Sequence, residues 1–452
     1  MEPYRLTATQ VIEQIKSGHL TVEQYALSLL SRIEQRDPAV KAWAFLDPEL
    51  VLEQAKQLDR VPPEKRGPLH GVAVGVKDII STKDMPTQYN SPIYTGHEPA
   101  LDAGCVMILR QAGALILGKT TTTEFAATAT GPATRNPHAA DDDYDEPRTP
   151  GGSSSGSAAV VADSQAAVAL GTQTGGSVVR PASFCGAWAA KPTFGAVGVG
   201  GGGGVRPYSP SLDTLGFYAR CVADLEVLVE VFGLRDDDDG EGPGPVLGGG
   251  VRGARFALVR TAVWSEAGPG TRAAMERAAM LLREHGAEVE DVELPEGFNQ
   301  LQAWHACVTA SEARASFLPE YRTHKDELAG LLVGHVENAR GYSRADQLRA
   351  LDGMAALRPV FDGIASRYTA VIAPSVTDEA PVGIENTGRA VFNGMWTALH
   401  VPVVNVPGFK GASGLPIGLS LIAPRYRDRH LLRVCREVGK IFEAEGGWKS
   451  AL

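Results

Sequence analysis

The sequence predicts an α/β fold in which one large β-sheet carries helices on both faces. Short apolar segments of strand character alternate along the chain with segments whose apolar residues recur at helical spacing, and this alternation is typical of α/β proteins. The chain has 452 residues, 44% of them hydrophobic and 21% charged, a globular composition that can fill a large core. This length allows one large α/β domain or two to three ordinary ones, and we expect a single large domain.

Residues 1–60 are predicted to form a helical arm of that same domain. The segments 7–17 and 21–35 both have helical apolar spacing. Each begins with a threonine, Thr7 or Thr21, whose hydroxyl can accept a hydrogen bond from the first helical turn. Two capped helices are therefore expected before the first strand.

Residues 61–452 are predicted to form the main body of the domain, with strands and helices in alternation. The predicted strands lie at 69–80, 114–117, 166–170, 255–259, 370–373 and 401–406. The predicted helices lie at 104–111, 158–162, 222–232, 271–284 and 429–442. Residues 236–250 are acidic and then rich in glycine and proline, which predicts a surface linker.

Charge, hydropathy and cysteine usage exclude several functional classes. The net charge of −10 at pH 7 disfavours a nucleic-acid-binding surface. The first residues lack the basic-then-apolar order of a signal peptide, and no apolar run approaches the roughly 20 residues that span a bilayer. The five cysteines are scattered and lack CxxC spacing, which predicts reduced thiols in a cytoplasmic protein. We therefore expect no nucleic-acid or membrane partner, no metal and no cofactor.

Two glycine-rich segments match nucleotide-binding patterns by letter, but the sequence around them argues against that function. Residues 113–120 fit GxxxxGK[ST], whose mechanism needs a flexible loop with amides free to cradle phosphate. The inner residues 114–117 are Ala-Leu-Ile-Leu, which are typical of a strand. The run 198–204 fits GxGxxG only because it is nearly all glycine. Neither segment is predicted to bind a nucleotide.

A third pattern, at 152–156, matches the GxSxG nucleophile elbow. It would make Ser154 the nucleophile and would need an acid and then a histidine downstream. Histidines are available, but a second glycine-serine cluster at 175–177 would then have no role. We therefore favour an arrangement that uses both clusters.

Lys77, Ser153 and Ser177 can together supply a base, a proton relay and a nucleophile without any histidine. A serine hydroxyl is a weak nucleophile until another group takes its proton. Lys77 follows an apolar segment, and burial lowers the pKa of a lysine towards the range in which it acts as a base. Gly175 and Gly176 leave the backbone amides before Ser177 unobstructed, and such amides can form an oxyanion hole. This combination indicates acyl transfer.

These residues belong to a longer pattern that resembles the amidase signature family of serine hydrolases. The matching segments cover nearly the whole chain and lie at 67–71, 75–78, 118–120, 124–125, 150–154, 158–159, 170–172, 175–177, 181, 184–186, 191–193, 211–216, 222–224, 401–402, 406–408 and 414–419. The resemblance implies the amidase signature fold, a large mixed central β-sheet flanked by helices on both faces.

The resemblance also implies a mechanism. Lys77, in its neutral form, takes a proton from Ser153, which the family holds through a cis peptide bond. Ser153 takes a proton from Ser177, which attacks the amide carbonyl; the proton returns to the leaving nitrogen, and water then cleaves the acyl-enzyme. The oxyanion is stabilised by the backbone amides of Thr174, Gly175, Gly176 and Ser177.

The sequence departs from the family pattern beside the nucleophile. Family members commonly carry an acid four residues before it and an arginine two residues after it. Here these positions are Gln173 and Val179, and an arginine follows at Arg180. Loss of both partners is coherent, because removing only one member of a buried ion pair costs several kcal/mol. We expect an intact triad on a changed local scaffold.

The sequence therefore predicts an amidohydrolase that cleaves a C–N bond of a small or medium amide-like substrate through a seryl acyl-enzyme. A carbamate (urethane) or aryl-anilide hydrolase of the same family is one alternative. A glutaminase-type subunit of a tRNA-dependent amidotransferase is another, and it would require partner chains. A non-catalytic binding scaffold is disfavoured, because it would not need the triad. The acyl group, the leaving amine and a homodimeric state stay open.

Overall fold

The structure, a computed structural model, describes residues 2–140, 146–199, 204–236 and 249–452. In this part of the chain a single mixed sheet of eleven strands carries fourteen α-helices, which confirms the predicted fold class. Most of the predicted linker at 236–250 lies outside the described residues.

The strands and helices have the following bounds in chain order. The strands are β1 (Trp43–Leu46), β2 (Ala73–Lys77), β3 (Leu115–Thr120), β4 (Val168–Gln173), β5 (Trp188–Lys191), β6 (Thr214–Ala219), β7 (Arg255–Leu258), β8 (Glu288–Asp291), β9 (Ala370–Pro374), β10 (Val403–Lys410) and β11 (Pro416–Ile422). The helices are α1 (Ala8–Lys16), α2 (Val22–Val40), α3 (Pro48–Asp59), α4 (Gly104–Gln111), α5 (Ser155–Ala162), α6 (Val179–Cys185), α7 (Val222–Val231), α8 (Pro269–Glu284), α9 (Leu301–Ser316), α10 (Leu318–His324), α11 (Gly330–Val336), α12 (Arg344–Ala365), α13 (Gly394–Ala398) and α14 (Asp428–Glu445).

The order of strands across the sheet is β1-β3-β2-β4-β6-β5-β10-β11-β9-β7-β8. Strand β2 is parallel to both β3 and β4, β7 is parallel to both β8 and β9, and the remaining pairs are antiparallel. In the β2–β4 pair Val76 lies opposite Leu170. The carboxyl ends of β2 and β4 therefore meet at one edge of the sheet, and Lys77 and Thr172 lie there.

Side chains alternate between the two faces of the sheet, and each face is covered by its own helices. Val74 and Val76 pack in a core with residues of α4, α7, α8 and α14. Ala73 and Ala169 pack on the opposite face with residues of α2 and α5. In the other half of the same sheet, residues of β9 and β10 pack with residues of α9, α12 and α13. The helices thus cover both faces, as predicted.

The N-terminal arm begins as the sequence predicts. The hydroxyl of Thr7 accepts a hydrogen bond from Gln10 N, and that of Thr21 accepts one from Gln24 N, so both helices start with a capping box. The carboxylate of Asp224, in α7, accepts hydrogen bonds from the first backbone amides of α1. This contact ties the arm to the main body.

The predicted strand at 69–80 is shorter in the structure, where only Ala73–Lys77 is a strand. Before it the chain turns through Gly71, whose φ of 81° suits glycine. After it the amides of Ile79 and Ile80 turn back to the carbonyl of Lys77. The two turns bound the strand and fix Lys77 as its last residue.

The segment that fits the phosphate-loop pattern is strand β3, as its apolar letters predict. Its lysine, Lys119, is completely buried. The Lys119 Nζ lies 3.2 Å from Asp78 Oδ1 and donates to Thr87 Oγ1 at 2.5 Å. The lysine is thus used inside the protein rather than presented to a phosphate.

Candidate active site

Lys77 occupies the end of β2 and is completely buried. Its Nζ donates hydrogen bonds to Ser153 Oγ and to Thr172 Oγ1, each at 2.8 Å. Burial lowers the pKa of Lys77 well below its usual range, and the more distant Asp213 carboxylate only partly opposes this shift. A lysine among hydroxyl groups in a dry site can be neutral, and a neutral amine is a base.

Ser153 lies in the loop that leads into α5 and is buried. The peptide bond between Gly152 and Ser153 is cis, as the resemblance implies. Gly151 has φ 84° and a Cβ there would lie 2.7 Å from Pro181 Cα, so only glycine fits. The loop therefore approaches the start of α6 closely.

Ser154 and Ser155, which follow, are bound to backbone groups rather than free. The Ser154 Oγ accepts from Thr172 N and lies within hydrogen-bond distance of Thr172 O, both at 3.2 Å. The Ser155 Oγ donates to Gly151 O at 2.7 Å. Since Ser154 is completely buried and paired with β4, the structure does not favour it as a nucleophile.

Ser177 follows Gly175 and Gly176 just before α6 and is half-buried. Its carbonyl accepts a hydrogen bond from the Tyr218 hydroxyl at 3.2 Å. The structure thus joins Lys77 to Ser153, whereas none of the hydrogen bonds among the described residues joins Ser153 to Ser177.

Arg180 connects the loop of Ser153 to the helix that follows Ser177. From the first turn of α6 its Nη2 donates to Gly152 O at 2.5 Å and to Thr387 Oγ1 at 3.2 Å, and its Nη1 donates to Gly388 O at 2.7 Å. Burial lowers the pKa of Arg180 to about 10, so the guanidinium stays charged at neutral pH. The residue before Ser153 is thereby held against the helix of Ser177.

Gln173 occupies the position at which the resemblance implies an acid, and it binds the start of α6. Its Oε1 accepts from Val178 N at 2.9 Å and Val179 N at 3.1 Å, at the start of α6. Its Nε2 donates to Thr397 Oγ1 at 3.1 Å. A carboxylate could accept the first two bonds but could not donate the third. The neutral amide therefore fits this position, and Arg180 is free to bind carbonyls.

The predicted oxyanion loop is held by side chains from three other segments. The Thr174 hydroxyl donates to Asp213 Oδ1 at 2.5 Å. The Thr174 carbonyl is 2.8 Å from His305 Nε2, and the Gly175 carbonyl accepts from Thr397 Oγ1 at 2.9 Å. Each of the first two residues of the loop is thus fixed from outside.

Asp213 is a buried carboxylate that contacts this loop through Thr174. It also accepts from the backbone amides of Tyr208 at 2.8 Å and Ser209 at 3.0 Å. Burial raises its pKa to about 6 against the lowering effect of these hydrogen bonds. It is thus ionised at neutral pH and orients Thr174.

An aromatic cluster is anchored to the residue that follows Lys77. Tyr89 N donates to the carbonyl of Asp78, the residue after Lys77, and Phe125 N donates to Tyr89 O at 2.8 Å. The Phe125 and Tyr89 rings stack with centroids 5.8 Å apart, and Phe317 packs on Phe125 at 5.4 Å. The cluster is thus joined through the backbone of Tyr89 to the turn that follows β2.

Several residues that shape the site were not predicted from the sequence. Thr172 and Asp213 fall in segments that match the family pattern, so a role could have been sought for them. His305 and Thr397 lie on α9 and α13, outside every matched segment. No signal in the sequence places them beside the oxyanion loop, because their contact depends on long-range packing.

The described residues contain no candidate metal site, no membrane-spanning helix and no disulfide. Among the described residues, no group of three or more His, Cys, Asp or Glu side chains could hold a metal ion. No described helix combines the length and apolar character needed to cross a membrane. The five cysteines are free thiols, and four of them are buried.

Comparison with known proteins identifies the class of protein. The model of the amidase family matches residues 24–432, so the chain belongs to the amidase signature family. Enzymes of this family act on carbon–nitrogen bonds, which supports the general prediction of an amidohydrolase.

Two relatives and two solved structures show which members of the family the chain is similar to. The chain is 33% identical to the A subunit of glutamyl-tRNA(Gln) amidotransferase from Symbiobacterium thermophilum, with 96% of each chain covered. It is 31% identical to the chloroplastic/mitochondrial A subunit from Zea mays, with 98% of this chain and 89% of the relative covered. Among solved structures, a peptide amidase bound to chymostatin has a TM-score of 0.81 at 28% identity, with 99% of both chains covered. A chain from a vestigial complex that bears on the origins of an s-triazine catabolic enzyme has a TM-score of 0.84 at 27% identity, with 99% of this chain and all of that chain covered.

Proposed function

We propose that this chain is an amidohydrolase that cleaves the C–N bond of a small or medium amide-like substrate through an acyl-enzyme on Ser177. One observation carries the proposal: the buried amine of Lys77 lies 2.8 Å from the hydroxyl of Ser153. Arg180 in turn binds the residue before Ser153 and belongs to the helix that follows Ser177. The three proposed catalytic residues therefore lie on segments that are tied together.

In the proposed mechanism protons move along this chain of groups. Neutral Lys77 accepts the proton of Ser153, and Ser153 accepts the proton of Ser177 as its Oγ attacks the carbonyl carbon. The proton then returns through Ser153 to the leaving nitrogen, and the C–N bond breaks. Water attacks the resulting ester and regenerates Ser177. Splitting the reaction in this way replaces one difficult step by two easier ones.

The oxyanion of each tetrahedral intermediate would be bound by backbone N–H groups. The proposed donors are Thr174, Gly175, Gly176 and Ser177. Fixed donors aimed at developing charge lower the barrier because they need no reorganisation during the reaction. The contacts of Thr174 and Gly175 with Asp213, His305 and Thr397 support this role, since they fix the loop before substrate binds.

A glutaminase-type subunit of an amidotransferase is the second candidate. It is favoured by the two relatives described above, which are A subunits of glutamyl-tRNA(Gln) amidotransferases at 31% and 33% identity. The same acyl-enzyme would then form from glutamine, and the ammonia would pass to a partner chain. We favour a hydrolase that acts alone, because the sequence identity to a peptide amidase, 28%, is similar to that of the amidotransferase subunits. We also propose a cytoplasmic location.

A substrate panel tests the proposal and separates the candidates. The purified chain is assayed with primary amides, anilides, carbamates and glutamine, beside Ser177→Ala and the control Ser154→Ala. We expect turnover of at least one amide-like class, loss of several powers of ten in Ser177→Ala, and retained activity in Ser154→Ala. Activity that survives in Ser177→Ala would contradict the proposal. Glutamine turnover that appears only with co-purified chains would favour the amidotransferase candidate.

A further inference from the structure

We propose that His305 is a positioning residue that aims the Gly175 N–H into the oxyanion hole; the inference rests on the proposed function. His305 lies on α9 with its Nε2 at 2.8 Å from the carbonyl oxygen of Thr174. A carbonyl oxygen can only accept, so the imidazole donates its Nε2–H. The Thr174 carbonyl and the Gly175 N–H belong to one planar peptide group and point in opposite directions. Fixing the oxygen therefore fixes the direction of the proposed donor.

Thr397 acts in the same way on the next peptide group. Its hydroxyl donates to the carbonyl of Gly175 at 2.9 Å, and this peptide carries the N–H of Gly176. The same hydroxyl receives a hydrogen bond from Gln173 at 3.1 Å. Two successive peptide groups are thus each held through their oxygen atoms. Hydrogen bonds in such chains polarise one another, which makes each N–H a better donor.

External partners are needed here because the loop itself has little conformational preference. Two adjacent glycines leave the backbone freer than any other residue pair. The His305 ring is the only group that a Cβ on Gly175 would meet among the described residues, at 3.7 Å, so the imidazole forms the wall of the loop on that side. The ring also lies against Gly394 of α13, where a Cβ would be 3.4 Å from its Nδ1. The imidazole is thereby held between α13 and the loop.

The test compares two side chains of similar size that differ in the N–H donor. In His305→Gln the side-chain amide can replace the imidazole N–H, whereas His305→Met fills the space without a donor. The probe is an alkyl fluorophosphonate. The Ser177 oxygen attacks phosphorus, the P–F bond breaks, fluoride leaves, and the serine proton passes to Ser153 and Lys77. The phosphoryl oxygen of the adduct then occupies the oxyanion hole.

We expect His305→Met to react about 10-fold or more slowly than the wild type, because misdirecting one oxyanion donor removes part of an effect of 10²–10³. His305→Gln should react within a few-fold of the wild type. Gln302→Ala, at an exposed position on the same helix, is the control and should react normally. Thermal midpoints are measured for all variants, so that the rates compare folded proteins.

Three outcomes would overturn the inference. The first is equal rates for His305→Met and His305→Gln, and the second is a wild-type rate in His305→Met. The third is a loss of rate in His305→Met that matches a loss of folded protein, because His305 would then be structural only. Failure of the proposed function is seen separately, as a wild-type chain that the probe does not modify or a Ser177→Ala variant that it does.

Discussion

Lys77 is completely buried and has two hydroxyl hydrogen-bond partners. In this environment we expect the rate of the proposed reaction to depend on pH. A protonated amine cannot accept the proton of Ser153, so the rate requires the neutral form. Burial lowers the pKa of Lys77 from about 10.4 in an unperturbed lysine. The neutral form therefore becomes available at a lower pH than in solvent.

We expect kcat/KM to rise with pH through a neutral-to-alkaline limb, with an optimum above about pH 7. In Lys77→Arg activity should fall by about 100-fold or more, because a guanidinium does not deprotonate in a protein and the general base is lost. The measurement is kcat/KM between about pH 6 and about pH 10 for both proteins. A limb near pH 6.5 that disappears on mutation of one histidine would show that the base is not Lys77.

The same burial predicts a cost in stability. Because the pKa of Lys77 is lower in the folded than in the unfolded chain, the unfolded chain binds more protons at this position between the folded pKa and about pH 10.4. Protonation of Lys77 in the unfolded chain therefore lowers the free energy of unfolding at neutral pH, and this free energy rises as the pH rises through the same range. Lys77→Met should therefore abolish activity and yet raise the free energy of unfolding at pH 7 by on the order of 1 kcal/mol.

Denaturant or thermal unfolding of Lys77→Met and the wild type at several pH values checks this expectation. The stabilisation should shrink as the pH approaches about 10, where the unfolded lysine also loses its proton. A variant that is less stable than the wild type at every pH would show that the hydrogen bonds of Lys77 outweigh its desolvation.

At the scale of elements, the two glycines of the oxyanion loop differ in the room around them. A Cβ on Gly176 would lie 2.5 Å from Asn393 Oδ1 and 2.9 Å from Ala390 Cβ, whereas a Cβ on Gly175 would come no closer than 3.7 Å to His305. We expect Gly176→Ala to lower the free energy of unfolding by about 1–3 kcal/mol. Gly175→Ala should change it by less than about 0.5 kcal/mol. Thermal unfolding of the two variants provides a matched comparison, and equal effects would contradict the close approach of residues 390–393 to Gly176.

The start of α6 offers a test of the role of Gln173, which stands four residues before Ser177. Gln173→Glu would lose the hydrogen bond that Gln173 donates to Thr397. The new carboxylate would also lack a cationic partner, because Arg180 already binds the carbonyl of Gly152. A buried carboxylate without a cationic partner costs several kcal/mol, although the amides of α6 offset part of this. We expect a loss of stability at pH 7 and a raised pKa for the new carboxyl group.

The sign of the pH effect makes this prediction specific. A folded pKa above that of the unfolded glutamate means that the folded state holds the proton longer, so stability falls as pH rises through this range. The loss in Gln173→Glu should accordingly be smaller near pH 5 than at pH 7. Unfolding curves at the two pH values decide, and a variant as stable as the wild type at pH 7 would contradict the role given to the amide.

Some elements could be predicted from the sequence and others could not, for physical reasons. Apolar strands such as β2, β3 and β4 and the capped helices α1 and α2 carry local signals. Strands β1, β5, β6, β8 and β11 were not predicted, and two of them, β6 and β11, contain a glycine that packs against a distant segment. A Cβ on Gly216 would lie 2.5 Å from Val178 Cγ2, and one on Gly418 would lie 2.4 Å from Asn405 Oδ1. These glycines serve close packing with distant segments, which no local pattern shows.

At the scale of the whole molecule, the candidate site gathers residues from distant parts of the chain. Lys77 lies on β2, Ser177 precedes α6, and His305 and Thr397 lie on helices packed over the other half of the sheet. The sequence predicts a triad of Lys77, Ser153 and Ser177, because the three residues lie in recognisable segments, and its catalytic role stays a proposal. It could not predict the contacts that hold the proposed oxyanion loop, because these arise only when α9 and α13 bring His305 and Thr397 to the loop that follows β4.

The central claim is that Ser177 is the nucleophile of a chain that is active on its own. The most direct test incubates the purified chain, without any partner, with an alkyl fluorophosphonate and locates the adduct by mass spectrometry of peptides. We predict one adduct per chain, on Ser177, and none in Ser177→Ala or, at the same incubation time, in Lys77→Met. An adduct on Ser154, or labelling of Ser177 that proceeds unchanged in Lys77→Met, would contradict the account.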